Sequence, residues 1–460
     1  MIAITVLESI SLLKFSMIFF CCCFECWFRM IFWMGGVLLR NLKDTADLLA
    51  KKNVTFRTVL NRVRRTYFMS RYYLGYYIRY EVDDKIVLFE SFKGEKYCDS
   101  PKALYKQMLQ DKRFEGYTFV WVLNDGAKKY TELSENTIVV EYDSKKCFEY
   151  YAKAKYWVRN STFPATVMKK KEQVYLQTWH GTPLKKLGCD IEVDHEDPNS
   201  SVKEINQRYK LESRMMNYLL SPSKYTTEKL SSAFDLAGAS KKDIVIEEGY
   251  PRNEYLFKYT DDDVLKVKKS LNIPLDKKVI LYAPTYRDSS HIIGEGYIYL
   301  PDTNFELLQR ELASEYVILF RAHYFVDRTF DFAKFEGFIY GVSDVDDIND
   351  LFIVSDILVT DYSSSFFDFA NLHKPILYFM YDLDYYSNES RGFYIGLEEL
   401  PGPILKTEEE LITAIGNIEA VNIEYKDLYQ RFNDKFNYLD NAEVTKKILD
   451  FLYADIENKN

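Results

Sequence analysis

Residues 357–379 read ILVTDYSSSFFDFANLHKPILYF. An apolar run, Ile357–Thr360, is followed by a hydroxyl-rich turn, a helical stretch Phe366–Leu372, and a second apolar run Pro375–Phe379. Short apolar runs without polar alternation suit strands covered on both faces, as in parallel sheets. Strand, helix and strand in succession therefore predict a parallel α/β unit.

The same alternation extends in both directions. A first series of strands is expected at Lys85–Glu90, Tyr117–Leu123, Thr137–Tyr142, Tyr156–Arg159, Val174–Thr178 and Tyr218–Ser221. A second is expected at Ile244–Glu247, Val279–Ala283, Tyr316–Arg321, Phe338–Val342, Ile357–Thr360 and Pro375–Phe379. Helices such as Pro101–Gln110, Asp263–Leu271 and Asn304–Ser314 lie between them. Two series imply two similar α/β domains, 83–250 and 251–460, with the break in Gly249–Lys258 where Tyr250-Pro251-Arg252-Asn253 punctuates the chain. A length of 460 residues fits two cores better than one.

Upstream the chain changes character. Residues 1–40 are strongly apolar but interrupted by Glu25 and Arg29, which fits neither a clean span nor a signal peptide. An interfacial or re-entrant anchor is the preferred reading; a true span, or a natural start at Met17, Met30 or Met34, are the alternatives. Residues 41–82 form a basic aromatic helical region, with eight basic, six tyrosine and no acidic residues from Lys51 to Tyr80. Such a face suits either solvent or anionic lipid. The net charge of −9 argues against nucleic acid as a partner. The seven cysteines have no zinc-like spacing and read as reduced thiols.

Polar motifs recur at the predicted strand ends, where open α/β sheets bind ligands. Val174–Thr178 runs into Trp179-His180-Gly181-Thr182, placing an imidazole in a tight turn. By residue type this is either a general base or a loop histidine bonded to a carbonyl. Arg321 and His323 lie two apart beyond another strand, a pairing suited to gripping phosphate, and Arg287 follows a third. Ser363 and Ser364 open a helix, where free N–H groups favour an anion or where a hydroxyl simply caps. Asp344-Val345-Asp346 contains an Asp-x-Asp that could hold a metal; the Ile348-Asn349-Asp350 sequel favours helix capping instead. No P-loop, GxSxG, HExxH or GxGxxG occurs.

Taken together, the ordered motifs resemble the CDP-glycerol glycerophosphotransferases of teichoic acid synthesis. The resemblance rests on Phe89-Glu90-Ser91-Phe92 with Tyr97 to Tyr105, Gln177 to Lys185, Gly249 to Asn253, Tyr282 to Asp288, Arg321-Ala322-His323, Val342 to Tyr386, Arg391 to Tyr394 and Pro401-Gly402-Pro403. It implies a GT-B architecture, two Rossmann-like domains facing a cleft. It also implies attack by an acceptor hydroxyl on the β-phosphorus of CDP-glycerol or CDP-ribitol, releasing CMP. His180 would be the base, and His323, the second catalytic residue, would with Arg287 and Arg321 hold the diphosphate and stabilise departing CMP. Gly181, Thr182, Ser343, Asp361, Ser363, Ser364 and Arg391 would complete the substrate contacts. No metal or other cofactor is expected to be obligatory, although a divalent ion could stimulate. The acceptor would be a lipid-linked teichoic acid or capsule polymer at the cytoplasmic face of a bacterial membrane. An inverting nucleotide-sugar transferase of the same fold is the alternative.

Overall fold

The computed structural model of the chain describes residues 54–124, 130, 132–163, 166–192, 201–285, 291–292, 296–297, 303–321, 330–383 and 392–459. The expected apolar segment 1–40 lies outside the described residues, as do Arg287, His323 and Arg391. The basic region enters as the helix Val54–Tyr72, which continues into a π-helical turn, Tyr73–Tyr77.

The first sheet contains β1 (Asp83–Glu90), β2 (Thr118–Val122), β3 (Ile138–Val140), β4 (Ala154–Arg159), β5 (Val174–Gln177), β6 (Tyr218–Ser221) and β7 (Val245–Glu247). Their order is β3-β2-β1-β4-β5-β6-β7, and every pairing is parallel. After it come β8 (Lys278–Ala283), the short antiparallel pair β9 (His291–Ile292) and β10 (Gly296–Tyr297), then β11 (Tyr316–Phe320) and β12 (Ile339–Gly341). The series ends with β13 (Ile357–Thr360), β14 (Ile376–Phe379) and β15 (Ile404–Leu405). The second sheet runs β12-β11-β8-β13-β14-β15, again all parallel. Both sheets therefore reverse winding beside their first strand, at β1/β4 and at β8/β13. Those are the switch points where doubly wound sheets open a crevice at the strand carboxyl ends.

Helices cover both faces of each sheet, so strands such as β8 and β13 are buried almost along their whole length. Leu281, Val317 and Leu358 fill one face of the second sheet, and Ile280, Ile318 and Val359 fill the other.

Two placements differ from the sequence reading. Ile244–Glu247, read as the head of the second series, supplies β7, the outer strand of the first sheet, in register with β6 through Leu219 and Val245. An edge strand carries no sequence mark of the sheet it joins. The final helix, Val444–Lys459, lies within the range read as the second domain. Its stripe Val444, Ile448, Leu449 and Leu452 nonetheless completes the core of the first sheet against Phe89, Tyr105 and Trp121. β9, β10 and β15 are two residues each, too short to show periodicity.

Candidate active site

The two sheets turn their carboxyl ends toward one another, and the chain stitches the cleft at both sides. On one side Lys186 N–H donates to Gly392 O (3.0 Å) and Tyr394 N–H to Leu184 O (2.8 Å). On the other, Lys96 Nζ of the first domain donates to Ser343 O (3.3 Å) and Val345 O (3.2 Å), and Lys102 pairs with Asp347 at 3.3 Å. His180 sits between these seams.

Three features hold the His180 ring. Trp179 takes φ +53°, an uncommon backbone for a bulky residue, which costs about 1–3 kcal/mol and turns the chain sharply after β5. The Trp179 ring stacks on the imidazole at 4.2 Å between centroids, and Phe92 lies at 5.8 Å on another side. His180 Nδ1 meets Asn160 O at 2.6 Å. A carbonyl can only accept, so Nδ1 carries the proton and Nε2 keeps its lone pair. Solvent reaches the imidazole through the cleft, yet packed protein surrounds it on the remaining sides. That desolvation holds its pKa below the usual 6.5, with Arg252 adding to the effect; the Asn160 bond and the Asp99 charge oppose it. The result is a neutral imidazole at pH 7 with a free basic nitrogen, the state a general base needs.

Across the cleft, Ser364 stands at the start of the short helix Ser365–Phe369, and a Cβ on Gly181 would lie 3.2 Å from its Oγ. Glycine is thus what lets the two loops approach. Ser363 Oγ caps the turn by accepting from Ser365 N–H at 3.3 Å. Asp361 is buried and accepts Thr285 N–H (2.7 Å) and Tyr362 N–H (2.5 Å), so its carboxylate ties the loop after β8 to the loop after β13. Thr182 is buried beside His180. Arg321, following β11, is half-buried and spends Nη1 on Val342 O (3.1 Å) and Val345 O (2.9 Å). It therefore braces the loop that carries Ser343, while Lys96 grips the same loop from the opposite domain. β11, β8 and β13 are sheet neighbours, so the segments bearing Arg321, Thr285 and Asp361 leave the sheet side by side.

The Asp-x-Asp segment behaves as a helix start: Asp347 caps Ile348–Val354 by accepting Asn349 N–H at 3.2 Å. Among the described residues no three His, Cys, Asp or Glu side chains converge as metal ligands.

Sequence reasoning marked Tyr250-Pro251-Arg252-Asn253 as a break between domains but did not foresee that it joins them. Arg252 is buried and meets Asp368 at 2.9 and 3.0 Å and Asp99 at 3.4 and 3.5 Å. Asn253 bridges Asp368 (2.9 Å) and Asp440 (2.7 Å), while Tyr250 N–H donates to Asp440 at 2.8 Å. The Tyr250-Pro251-Arg252-Asn253 punctuation is thus a polar hinge fastened to both halves. Its charge content was the available signal. Lys96 and Lys102 gave none, because an isolated lysine usually marks only a solvated surface.

Two facing parallel sheets, with polar groups gathered at both switch points, define a GT-B-like architecture. The chain belongs to the CDP-Glycerol:Poly(glycerophosphate) glycerophosphotransferase family, whose model matches residues 72–454. It is 40% identical over 379 residues to the teichoic acid poly(glycerol phosphate) polymerase of Bacillus subtilis strain 168, covering 82% of this chain and 49% of that protein. It thus spans about half the length of that relative. With the polymerase of the same name from Bacillus spizizenii it is 38% identical over 374 residues, covering 80% of this chain and 92% of the relative. The solved wall teichoic acid polymerase TagF superposes with a TM-score of 0.78 at 34% identity, over 90% of this chain and 98% of that one. TagF has also been solved as histidine variants, one of them soaked with CDPG.

Proposed function

We propose that this protein transfers an alditol-phosphate unit, glycerol-phosphate in the first instance, from a CDP-linked donor to a hydroxyl of a teichoic acid or capsule polymer, releasing CMP. The observation that carries the reading is the His180 Nδ1 contact with Asn160 O at 2.6 Å, which leaves Nε2 as the basic nitrogen, in a chain of this family. His180 Nε2 accepts the proton of the acceptor hydroxyl as its oxygen bonds to the β-phosphorus. The bond from that phosphorus to the bridging oxygen breaks, and CMP departs with the electron pair. Gly181 lets Ser364 approach the His180 turn, so both can contact the transferring group. Arg287, Arg321, His323 and Arg391 supply positive charge on the donor side, with no obligatory divalent ion.

The acceptor is lipid-linked and the protein works at the cytoplasmic membrane face. Supporting this, Phe56, Val59 and Val63 recur at i, i+3 and i+7 on the basic helix and are all exposed, as is Arg62 among them. No helix among the described residues is long and apolar enough to cross a membrane.

The test is purified protein with CDP-glycerol or CDP-ribitol and a lipid-linked acceptor, measuring product mass and released nucleotide. CMP with mass gains of one alditol-phosphate is expected. Release of UDP or GDP from a nucleotide sugar, with no CMP from either CDP-alditol, would replace this reading with sugar transfer.

A further inference from the structure

Beneath the His180 turn lies a buried polar chain that the chemistry above does not use. Glu212, on the helix Val202–Met215, is buried inside the first domain. It accepts at both oxygens: Tyr175 O–H (2.5 Å) and Gln177 Nε2 (3.3 Å) at Oε1, and Phe163 N–H (2.7 Å) at Oε2. Three donors and no acceptor around one carboxyl group is the pattern of an acceptor-only carboxylate. Because Tyr175 spends its proton on Glu212, its oxygen is left to accept from Gln177 Nε2, at 2.8 Å. Ser161 O receives the same amide at 3.2 Å. Every neighbour of Nε2 is therefore an acceptor, which fixes which way the Gln177 amide points. Its Oε1 is turned to Trp179 N–H, at 2.9 Å.

This is the hydrogen bond that closes the two-residue turn in which Trp179 stands at φ +53°. The Trp179 ring is anchored from its far side by Phe234 (5.2 Å) and Tyr209 (6.1 Å), and its near face carries the imidazole. Asn160, which receives His180 Nδ1–H, is held in turn through its own side chain by Phe92 N–H at 2.8 Å and Ser161 O–H at 3.0 Å. The turn and the carbonyl are thus positioned separately, and the imidazole tautomer depends on both.

We propose that Gln177, oriented by Glu212 through Tyr175, is the positioning residue that sets the Nδ1–H tautomer of His180. This rests on the reading of His180 as the base, but the geometry it predicts can be measured without turnover. Gln177→Met keeps the side-chain length and removes every hydrogen bond of the Gln177 amide. With Trp179 N–H unheld, the turn relaxes, the imidazole leaves Asn160 O, and the proton distributes between both ring nitrogens. The charged groups facing the ring, Asp99 and Arg252, are unchanged in this variant. Losing the Asn160 bond lowers the ring's pKa, but relief of desolvation, the largest influence, raises it as the ring swings into the cleft, so the acid limb of the rate should move up toward 6.5.

The experiment is nitrogen-15 NMR of histidine-labelled protein, reading which ring nitrogen carries the proton, together with steady-state kinetics of CMP release. The chain has five histidines, and His180→Ala identifies the signal. Wild-type protein should show Nδ1–H alone at neutral pH. Gln177→Met should show both tautomers, a ~10- to 100-fold lower kcat, an unchanged donor KM and an acid limb shifted upward. Tyr175→Phe, which leaves Gln177 in place but removes the hydroxyl that orients it, should show the same changes to a smaller degree. It serves if Gln177→Met does not fold. A folded Gln177→Met or Tyr175→Phe protein with an unmixed Nδ1–H signal and a wild-type acid limb would overturn the proposal. Near-wild-type CMP release by His180→Ala would instead remove His180 as the base, whatever the tautomer result.

Discussion

Replacing Arg252 with alanine should be among the single changes most damaging to stability, and the size follows from its burial. The guanidinium is 5% exposed, and its partners Asp99 and Asp368 are 7% and 10% exposed. Deleting one member of a buried ion pair typically costs ~3–5 kcal/mol, mainly because the remaining charge stays buried. A stranded carboxylate can escape that cost by taking up a proton. From an ordinary pKa of ~3.9, this costs ~4 kcal/mol at pH 7 but only ~1.5 kcal/mol at pH 5. Protonation therefore caps the penalty per carboxylate, and the cap falls with pH. Burial favours the protonated form of a stranded carboxyl group, so the variant loses stability as pH rises. We expect Arg252→Ala to be destabilised by ~4 kcal/mol at pH 7 and by markedly less at pH 5. Guanidinium unfolding followed by tryptophan fluorescence reads this directly, since Trp121, Trp157 and Trp179 all report on the first domain. A loss below ~1 kcal/mol at pH 7, or one that does not shrink on acidification, would refute the account of the hinge.

His180→Ala and His323→Ala should each lower turnover by at least ~10²-fold with the fold intact. In the wild type the acid limb of kcat/KM should lie below pH 6.5, because desolvation disfavours the imidazolium. Asp99→Asn should push that limb lower still, since the Asp99 charge favours the imidazolium and asparagine tolerates the φ of +67° there; an upward shift would contradict this electrostatic picture. Activity should persist in excess EDTA, with Asp346→Asn nearly silent and Arg287→Ala raising the donor KM. Complete loss in EDTA restored by magnesium, with an inactive Asp346→Asn, would make the diphosphate site metal-dependent. Deleting residues 1–40 should weaken liposome flotation, and the remaining binding should fall with salt as charges are screened over about 8–10 Å; salt-insensitive retention would count against a polybasic contact.

The sequence by itself determined the parallel α/β class, most of the strands and the position of His180 at a strand end. Those signals are local: an apolar run between turns, or a histidine followed by glycine, is visible within a few residues. It also marked Tyr250-Pro251-Arg252-Asn253 as a break, because proline and a change of pattern can be read in one dimension. Only the tertiary structure decided that Ile244–Glu247 joins the first sheet and that Val444–Lys459 returns to cover it. Edge pairing and helix docking depend on which surface is left open once the rest has packed. The same reason hid a second use of Arg321. Its charge was legible, but its use as a brace for Val342 O and Val345 O depends on a loop more than twenty residues away. Most plainly, the imidazole tautomer depends on one carbonyl, Asn160 O, brought to 2.6 Å by a neighbouring strand. A hydrogen bond of that kind joins residues that only folding makes neighbours, so no spacing in the chain could have announced it.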